Sequence, residues 1–578
     1  MRGTGLMNTA WMLACMREAG NFRRATRAVE RTQHQLLMAL LRRNQETRFG
    51  QSHRFQSVAS YHDYRQAVPL SRYESYAMEM EEIAQGRSGI LTRDPVELLE
   101  PTSGSSGGEK LIPFTRGFRR QFQRAVSTWI YDLFKQRPAL RRGRAYWSIS
   151  PGIPARRSAG GVPIGFADDA AYLGAAQQWM LRRLLVVPPE ITRLKDMRSF
   201  RYCTLWYLLG AADLALISVW SPTFLLTLLE PLQEWQEQLC RDLERGWPQP
   251  PEPPPTDALL QHLAQRPRPD PSRAHALRDI FRSPLPPSEI LRRVWPKLAL
   301  ISSWADVSAG PYHAELRKLF PAVEHQPKGL LATEGFVSIP LLGQPAPALA
   351  IRSHFFEFQE TDSGEIRLAH QLDRGRDYRV ILTTAGGLYR YELRDEVQVV
   401  DFTGQCPLLR FVGKADGVSD LVGEKLAEPF CRAVVTRLFA APPHFAMLVP
   451  VADRPPHYRL YVQDAALSTD GTSNLSAQLN AGLRENPHYA YALALGQLAP
   501  ADVVLLDPRG PIAWAVFERQ CLARGMRAGN IKPTLLERWA GWPALFAAQF
   551  PAAPPPTPAA PTPVPVAPPP APAAAQIP

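Results

Sequence analysis

The stretch TSGSSGGEK, Thr102 to Lys110, joins glycines and hydroxyl-bearing residues to a lysine, a combination able to grip phosphate. Gly104, Gly107 and Gly108 let backbone N–H groups approach an anion, Thr102, Ser103, Ser105 and Ser106 add hydroxyl donors, and Lys110 adds positive charge. A Walker-type loop is excluded. It needs Ser or Thr directly after the lysine, so that the hydroxyl meets Mg²⁺, and here Leu111 follows Lys110. Composition alone leaves a flexible Gly/Ser linker as an equal alternative. The apolar flanks VELLE and LIPF place the stretch inside a folded domain and shift the balance toward phosphate.

Such a loop must be held by a core, and the chain can build one. With 578 residues, 45% hydrophobic and 21% charged, it is a globular protein that should divide into more than one domain. VERTQHQLLMALLRRNQETRFG has apolar residues at helical spacing and is expected to form a helix stopping at Gly50. LALISVW (214–220) and LALISSW (298–304) read as buried parallel strands whose C-terminal ends reach a polar cleft, and their likeness suggests two related subdomains. PQPPEPPPTD (248–257) reads as a surface loop or insertion. Beyond residue 345 the texture becomes β-rich, in ALAIRSHFFEFQE, YRVILTTAGGLYRYEL and EVQVVDF. A smaller α+β unit follows, with strands at FAMLVPVA and YRLYVQD and a helix near SNLSAQLNAGLREN. The Pro/Ala-rich end cannot supply a core and is expected to be disordered.

Several function classes are disfavoured. The net charge of +12 and pI near 9.5 come mostly from arginines scattered along the chain, a solvated surface rather than a nucleic-acid footprint. Six widely spaced cysteines without a C-x-x-C pair argue against a metal cluster or a disulfide framework and suit a reduced cytoplasm. The N-terminus, MRGTGLMNTAWMLACMREAG, has too short an apolar run, interrupted and followed by charge, for a signal peptide. The longest apolar region, YCTLWYLLGAADLALISVWSPTFLLTLLEPL, is broken by Asp213 and Pro222, as a buried α/β core would be and a membrane span would not.

Four motifs in order, TSGSSGGEKLIPFT, LLATEGF, GGLYRYELRDEV and FVGKADGVSDLVGEKLAEPF, resemble the auxin-responsive-promoter family of acyl-acid amido synthetases, within the adenylate-forming superfamily. LLRRNQETRFG and VPLSRYESY before them and GNIKPTLLERW after them extend the resemblance over most of the chain. The fold it implies is α/β: a large domain of mixed and parallel sheets flanked by helices (1–411), a small mobile α+β domain (412–546) and a disordered Pro/Ala tail (547–578).

The resemblance also implies roles. Thr102, Ser103, Gly104, Ser105, Ser106, Gly107, Gly108 and Lys110 would hold the phosphates of ATP and then the adenylate. Thr333 would meet the α-phosphate and Glu334 would hold Mg²⁺, a hard cation suited to one carboxylate plus phosphate oxygens; the alternative for this pair is a helix-start cap beside a solvated glutamate. Asp395 would accept from the ribose hydroxyls, with Arg394 standing where the family has glycine. Tyr389 and Tyr391 read as packing residues, one of them able to lie against the adenine. In Gly413-Lys414-x-Asp416, Lys414 would reach ribose or phosphate and Asp416 would be the hinge of the small domain. Lys532 would approach the α-phosphate and the carboxylate, which leaves Lys110, Glu334 and Lys532 as the catalytic set.

The implied reaction has two steps. A carboxylic acid takes AMP from Mg·ATP, and an amine, expected to be an amino acid, then takes the acyl group to form an amide. The acyl pocket is expected around residues 120–225, near RAYWSISP and FADDAAYLG. The partners would be small molecules, with no nucleic acid and no membrane span, and the enzyme a cytoplasmic monomer. An acyl-CoA ligase and a non-catalytic nucleotide-binding scaffold are the alternatives.

Overall fold

The computed structural model describes residues 2–102, 110–147, 156–165, 182–194, 196–251, 257–265, 268–306, 309–415, 417–467, 472–524, 526 and 531–550. The expectations for Ser103 to Gly108, Asp416, the sequence FADDAAYLG and tail residues 551–578 lie outside the described residues, whereas the helix Trp542–Gln549 runs past residue 547, where the disordered tail was expected to begin.

Strands Arg144–Trp147, Leu214–Ser218, Leu300–Ser303 and Glu324–Pro327 lie side by side in that order as a parallel sheet. Leu214–Ser218 and Leu300–Ser303, the two central strands, are buried throughout because both faces are covered. Leu214, Ile217 and Ile301 pack with Trp206, Leu228 and Trp295 on one face. Ala215, Leu216 and Leu300 pack on the other, in a core shared with Trp129 and Ile130. The two similar segments are therefore adjacent strands of one sheet, which corrects the expectation of two related subdomains. The long apolar region divides as its breakers predict, into helix Met197–Leu209, the Leu214–Ser218 strand and helix Pro222–Leu229. Pro222 begins its helix, where a missing N–H leaves nothing unpaired.

The β-rich part forms a seven-stranded antiparallel sheet in the order Ser338–Ile339, Ala348–Leu349, Cys406–Lys414, Tyr391–Thr403, Asp377–Thr383, Phe355–Glu360, Ile366–Leu368. The helix Arg116–Gln136 has residues in the core shared by both sheets. A smaller sheet pairs Phe445–Val451 with His457–Gln463 antiparallel and His457–Gln463 with Asp502–Leu505 parallel. Its two faces build separate cores, one around Leu448, Tyr458 and Leu460 and one around Met447, Phe517 and Trp542.

One boundary differs from the sequence reading. The helix Val29–Asn44 stops six positions before Gly50, which lies inside a short helix Arg48–Ser52. Gly50 is required for close approach rather than for stopping a helix: a Cβ there would lie 2.1 Å from the carbonyl oxygen of Asn44.

Among the described residues no helix is long and apolar enough to cross a membrane. All six cysteines are buried and free.

Candidate active site

Thr102 and Lys110 face each other as the last paired residues of an antiparallel hairpin, strands Val96–Thr102 and Lys110–Thr115, so the chain from 103 to 109 leaves and re-enters at one point of the sheet. Both are half-buried. The Lys110 ammonium lies 3.5 Å from Glu74 Oε1 and 5.6 Å from the centre of the Tyr73 ring. Tyr73 Oη in turn accepts from the Leu111 N–H at 2.9 Å. A backbone hydrogen bond, then Lys110 and Arg394, hold the Glu74 carboxyl below its ordinary range, although burial opposes them. Tyr73 and Glu74 belong to VPLSRYESY, a segment quoted for its resemblance but given no role.

Thr333 and Glu334 form the turn between the short antiparallel strands Leu331–Ala332 and Gly335–Phe336, not a helix start, which removes the capping alternative. His354, fully buried, supports this turn from behind. Its Nε2 accepts from the Phe336 N–H at 3.0 Å and its Nδ1 meets Gln121 Oε1 at 3.0 Å, so the ring is a neutral tautomer with the proton on Nδ1. Burial, reinforced by Arg124, lowers this histidine to about 3. Gln121 Oε1 also accepts from the Ala385 N–H at 2.9 Å, tying the Arg116–Gln136 helix to the antiparallel sheet at the same place. Sequence reading missed His354, because its partner Gln121 is 233 positions away and no local pattern marks the pairing.

Glu334 collects charges from across the molecule. Burial raises its carboxyl above the usual range; Lys414 and Lys110 oppose that shift and Asp395 adds to it. Tyr391 reaches Glu334 Oε1 with its hydroxyl at 3.5 Å, at the limit of a hydrogen bond. Tyr389 is a packing residue: it is fully buried, stacks on Phe49 at 4.7 Å and donates to the Leu91 carbonyl.

Asp395 and Lys414 are paired across strands Tyr391–Thr403 and Cys406–Lys414. The Lys414 ammonium stands 3.3 Å from Asp395 Oδ1, but not in hydrogen-bond geometry, so this oxygen of a residue 2% exposed has no donor. A carboxyl oxygen buried in this state calls for hydroxyl or amide donors. Arg394 has φ of +63°, the left-handed conformation that glycine adopts freely and arginine does not. That explains in physical terms why glycine would be preferred before the aspartate.

Lys532 comes from the far end of the chain. Its ammonium lies 4.5 Å from the centre of the Trp304 ring. The surrounding protein lowers it to about 8, with Asp395 and Asp306 raising it and Lys414 lowering it. The side chain is itself exposed, so solvent opposes the lowering. Asp306, just beyond strand Leu300–Ser303, is pushed up to about 6 by burial.

Thus Glu334 feels Lys110, Asp395 and Lys414, and Lys532 feels the same Asp395 and Lys414, so five residues from five separated segments are linked electrostatically. Two carboxylates and three ammonium groups suit a polyanion with a diol and a bound cation. Among the described residues no group of three or more His, Cys, Asp or Glu is arranged to hold a metal by itself, so a cation here would draw most of its ligands from phosphate and water.

The model for the GH3 family N-terminal domain matches residues 18–325, more than half of the chain. The chain belongs to the GH3 family. The GH3 family central domain matches residues 348–414, which hold Asp395 and Lys414. Among GH3 relatives, the indole-3-acetic acid-amido synthetase GH3.15 of Arabidopsis thaliana is 24% identical over 483 residues, 75% of this chain and 78% of the relative. The indole-3-acetic acid-amido synthetase GH3.10 of the same plant is 24% identical over 438 residues, 68% of this chain and 72% of the relative. The solved structure of AtGH3.15 acyl acid amido synthetase in complex with 2,4-DB superposes with a TM-score of 0.79 at 20% identity, over 94% of this chain and 96% of that one. The motif order thus led to the family, and the α/β architecture expected from it is the GH3 fold.

Proposed function

We propose that this GH3 protein is an ATP-dependent ligase that activates a carboxylic acid as its adenylate and passes the acyl group to an amine, most simply that of an amino acid. One observation carries the site assignment: residues from five distant segments, all named by the motifs, converge on a single electrostatic neighbourhood. The family membership carries the reaction class.

In the first step a carboxylate oxygen attacks the α-phosphorus of ATP, the bond to the bridging oxygen breaks and pyrophosphate leaves. Lys110 and the hairpin tip it closes hold the phosphates, Thr333 donates to the α-phosphate, Asp395 accepts from the ribose hydroxyls, and Lys414 reaches ribose or phosphate. Mg²⁺, held through Glu334, would supply positive charge to phosphate oxygens. Lys532 steadies the charge shared between the carboxylate and the α-phosphate. In the second step a neutral amine attacks the carbonyl carbon, the bond to the phosphate oxygen breaks, AMP leaves and the amine loses a proton. No covalent enzyme intermediate is needed.

The large unit would be residues 1–411 and the small one 412–546, with Asp416 as the hinge that turns Lys532 away after the first step. Six buried thiols without a disulfide support a cytoplasmic setting.

The test is a screen of carboxylic acids for pyrophosphate release, followed by addition of amino acids and mass measurement of products. The reading predicts acid-dependent pyrophosphate and an amide with AMP. Pyrophosphate release that persists in a Lys110→Ala, Glu334→Ala double variant would overturn the site assignment.

A further inference from the structure

A second polar cluster lies at the C-terminal edge of the parallel sheet, outside the nucleotide set. Trp147, Ser218, Ser302 and Gln326 are in register across the four strands, so their side chains share one face. Gln326 Oε1 accepts from Trp129 Nε1 of the Arg116–Gln136 helix at 3.1 Å, which identifies this as the face that the helix covers. Lys328, 7% exposed, enters the same space: its ammonium donates to Ser218 Oγ at 2.7 Å and lies 4.8 Å from the Trp220 ring centre and 5.2 Å from that of Trp129.

The cluster is incompletely satisfied. Trp147 Nε1 and Ser302 Oγ are buried without a hydrogen-bond partner. Both stand on strands flanking Ser218, so they border the ammonium that Ser218 receives. An ammonium has three donors, and among the described residues only Ser218 accepts from this one and no carboxylate balances it. Aromatic rings offset part of the cost of burying that charge. They do not supply acceptors for the remaining donors. Burial lowers the ammonium to about 7, as its unbalanced state requires.

The position is one where parallel sheets take ligands, beyond the carboxyl ends of the strands, and the chain runs from Lys328 through five residues into Glu334. Resting on the acyl-acid reading above, we propose that Lys328, with Trp147 Nε1 and Ser302 Oγ, selects acids that carry a second acceptor, anionic by preference, at the end remote from the reacting carboxylate. Three donors converge on that acceptor, while Trp129, Trp147 and Trp220 provide flat apolar walls for the body of the acid. An acid with a plain hydrocarbon end leaves the donors buried and unpaired, which disfavours it.

The experiment compares matched acids in the pyrophosphate-release assay: hexanoate against hexanedioate, and phenylacetate against 4-carboxyphenylacetate. The wild type is expected to show a KM at least ~10-fold lower for the second member of each pair, the size of one charge-assisted hydrogen bond. Lys328→Met, which keeps length and apolar packing, should erase that difference by raising the KM of the diacids with kcat little changed, while KM for the plain acids stays within about 2-fold. Equal KM within both pairs for the wild type, or a kcat loss common to all four acids in the variant, would overturn the proposal. Should Lys328→Met fail to fold, Ser302→Ala removes one donor without altering charge and is expected to give a several-fold version of the same split. If no acid releases pyrophosphate, the ligase reading fails separately; hexanedioate should still raise the melting temperature of the wild type more than that of the variant, and equal shifts would sink the site itself.

Discussion

Two arginines with left-handed backbone, Arg390 and Arg394, separate backbone strain from side-chain function. Arg390, at φ +49°, is buried and its guanidinium bonds Glu357 at 2.9 to 3.1 Å, so its side chain fixes it in place. Arg390→Gly should cost about 3–5 kcal/mol because it leaves a buried carboxylate uncompensated. Arg394→Gly should instead raise stability by up to ~1 kcal/mol, by relieving the left-handed backbone, as read by denaturant midpoint. Under the proposed mechanism, Lys532 and Glu334 set the pH dependence of the first step. Glu334 must be ionised, and burial raises its carboxyl, so the rate should climb with pH above the ordinary glutamate range. Lys532 must be charged and is lowered to about 8, so the rate should fall again as pH rises past that value. Lys532→Arg, which stays protonated, should flatten the alkaline limb of acid-dependent pyrophosphate release. A limb that persists unchanged would remove Lys532 from the first step.

At the scale of elements, the decisive piece is the Leu331–Phe336 hairpin and its support. A Cβ at Gly335 would stand 3.1 Å from His354 and 3.3 Å from Leu382, so the turn that presents Glu334 leans directly on the histidine. His354→Leu leaves the Phe336 N–H and one bond of Gln121 unmade, a loss of about 1–3 kcal/mol in stability. As a positioning residue it should also raise KM for Mg·ATP. His354→Asn, which keeps an acceptor, should restore part of that KM, whereas a merely structural role would move the melting temperature alone. The elements themselves were largely legible. Continuous apolar runs marked two of the four parallel strands, Leu214–Ser218 and Leu300–Ser303, and breakers at Asp213 and Pro222 divided the longest run correctly. The end of the helix at Asn44 was not legible, because Gly50 is there for a close approach that only the folded chain creates. His354 and Lys328 were missed for a related reason. In AIRSHFFEF and HQPKGLL nothing local marks either residue, since the burial of each is imposed by the Arg116–Gln136 helix, some 200 positions earlier.

Across the whole molecule, buried histidines make stability pH-dependent. His313 is 8% exposed, its Nδ1 meets Ser303 Oγ at 3.0 Å, and burial, with His325 and Arg317, lowers it to about 4. A base whose folded value is depressed stabilises the neutral fold above its unfolded value near 6.5, and that contribution is lost as pH falls from there through about 4. The amount is roughly 3 kcal/mol. Asp306, raised to about 6, works in the opposite sense over part of the same window, so the informative quantity is a difference. The stability gap between wild type and His313→Gln should shrink as pH falls from 6.5 to 4. A gap independent of pH would mean that the histidine does not titrate as its burial dictates. The order of motifs along the chain led to the family, but only folding brings Lys110 to Glu334 and Lys532 to Asp395, with Asp395 and Lys414 acting on both Glu334 and Lys532. The central claim is that a carboxylate takes AMP and then surrenders it to an amine. With an acid identified by the screen and labelled with ¹⁸O in both carboxylate oxygens, mass analysis should find one labelled oxygen in the released AMP and one in the amide. Label in inorganic phosphate, or AMP without label, would contradict it.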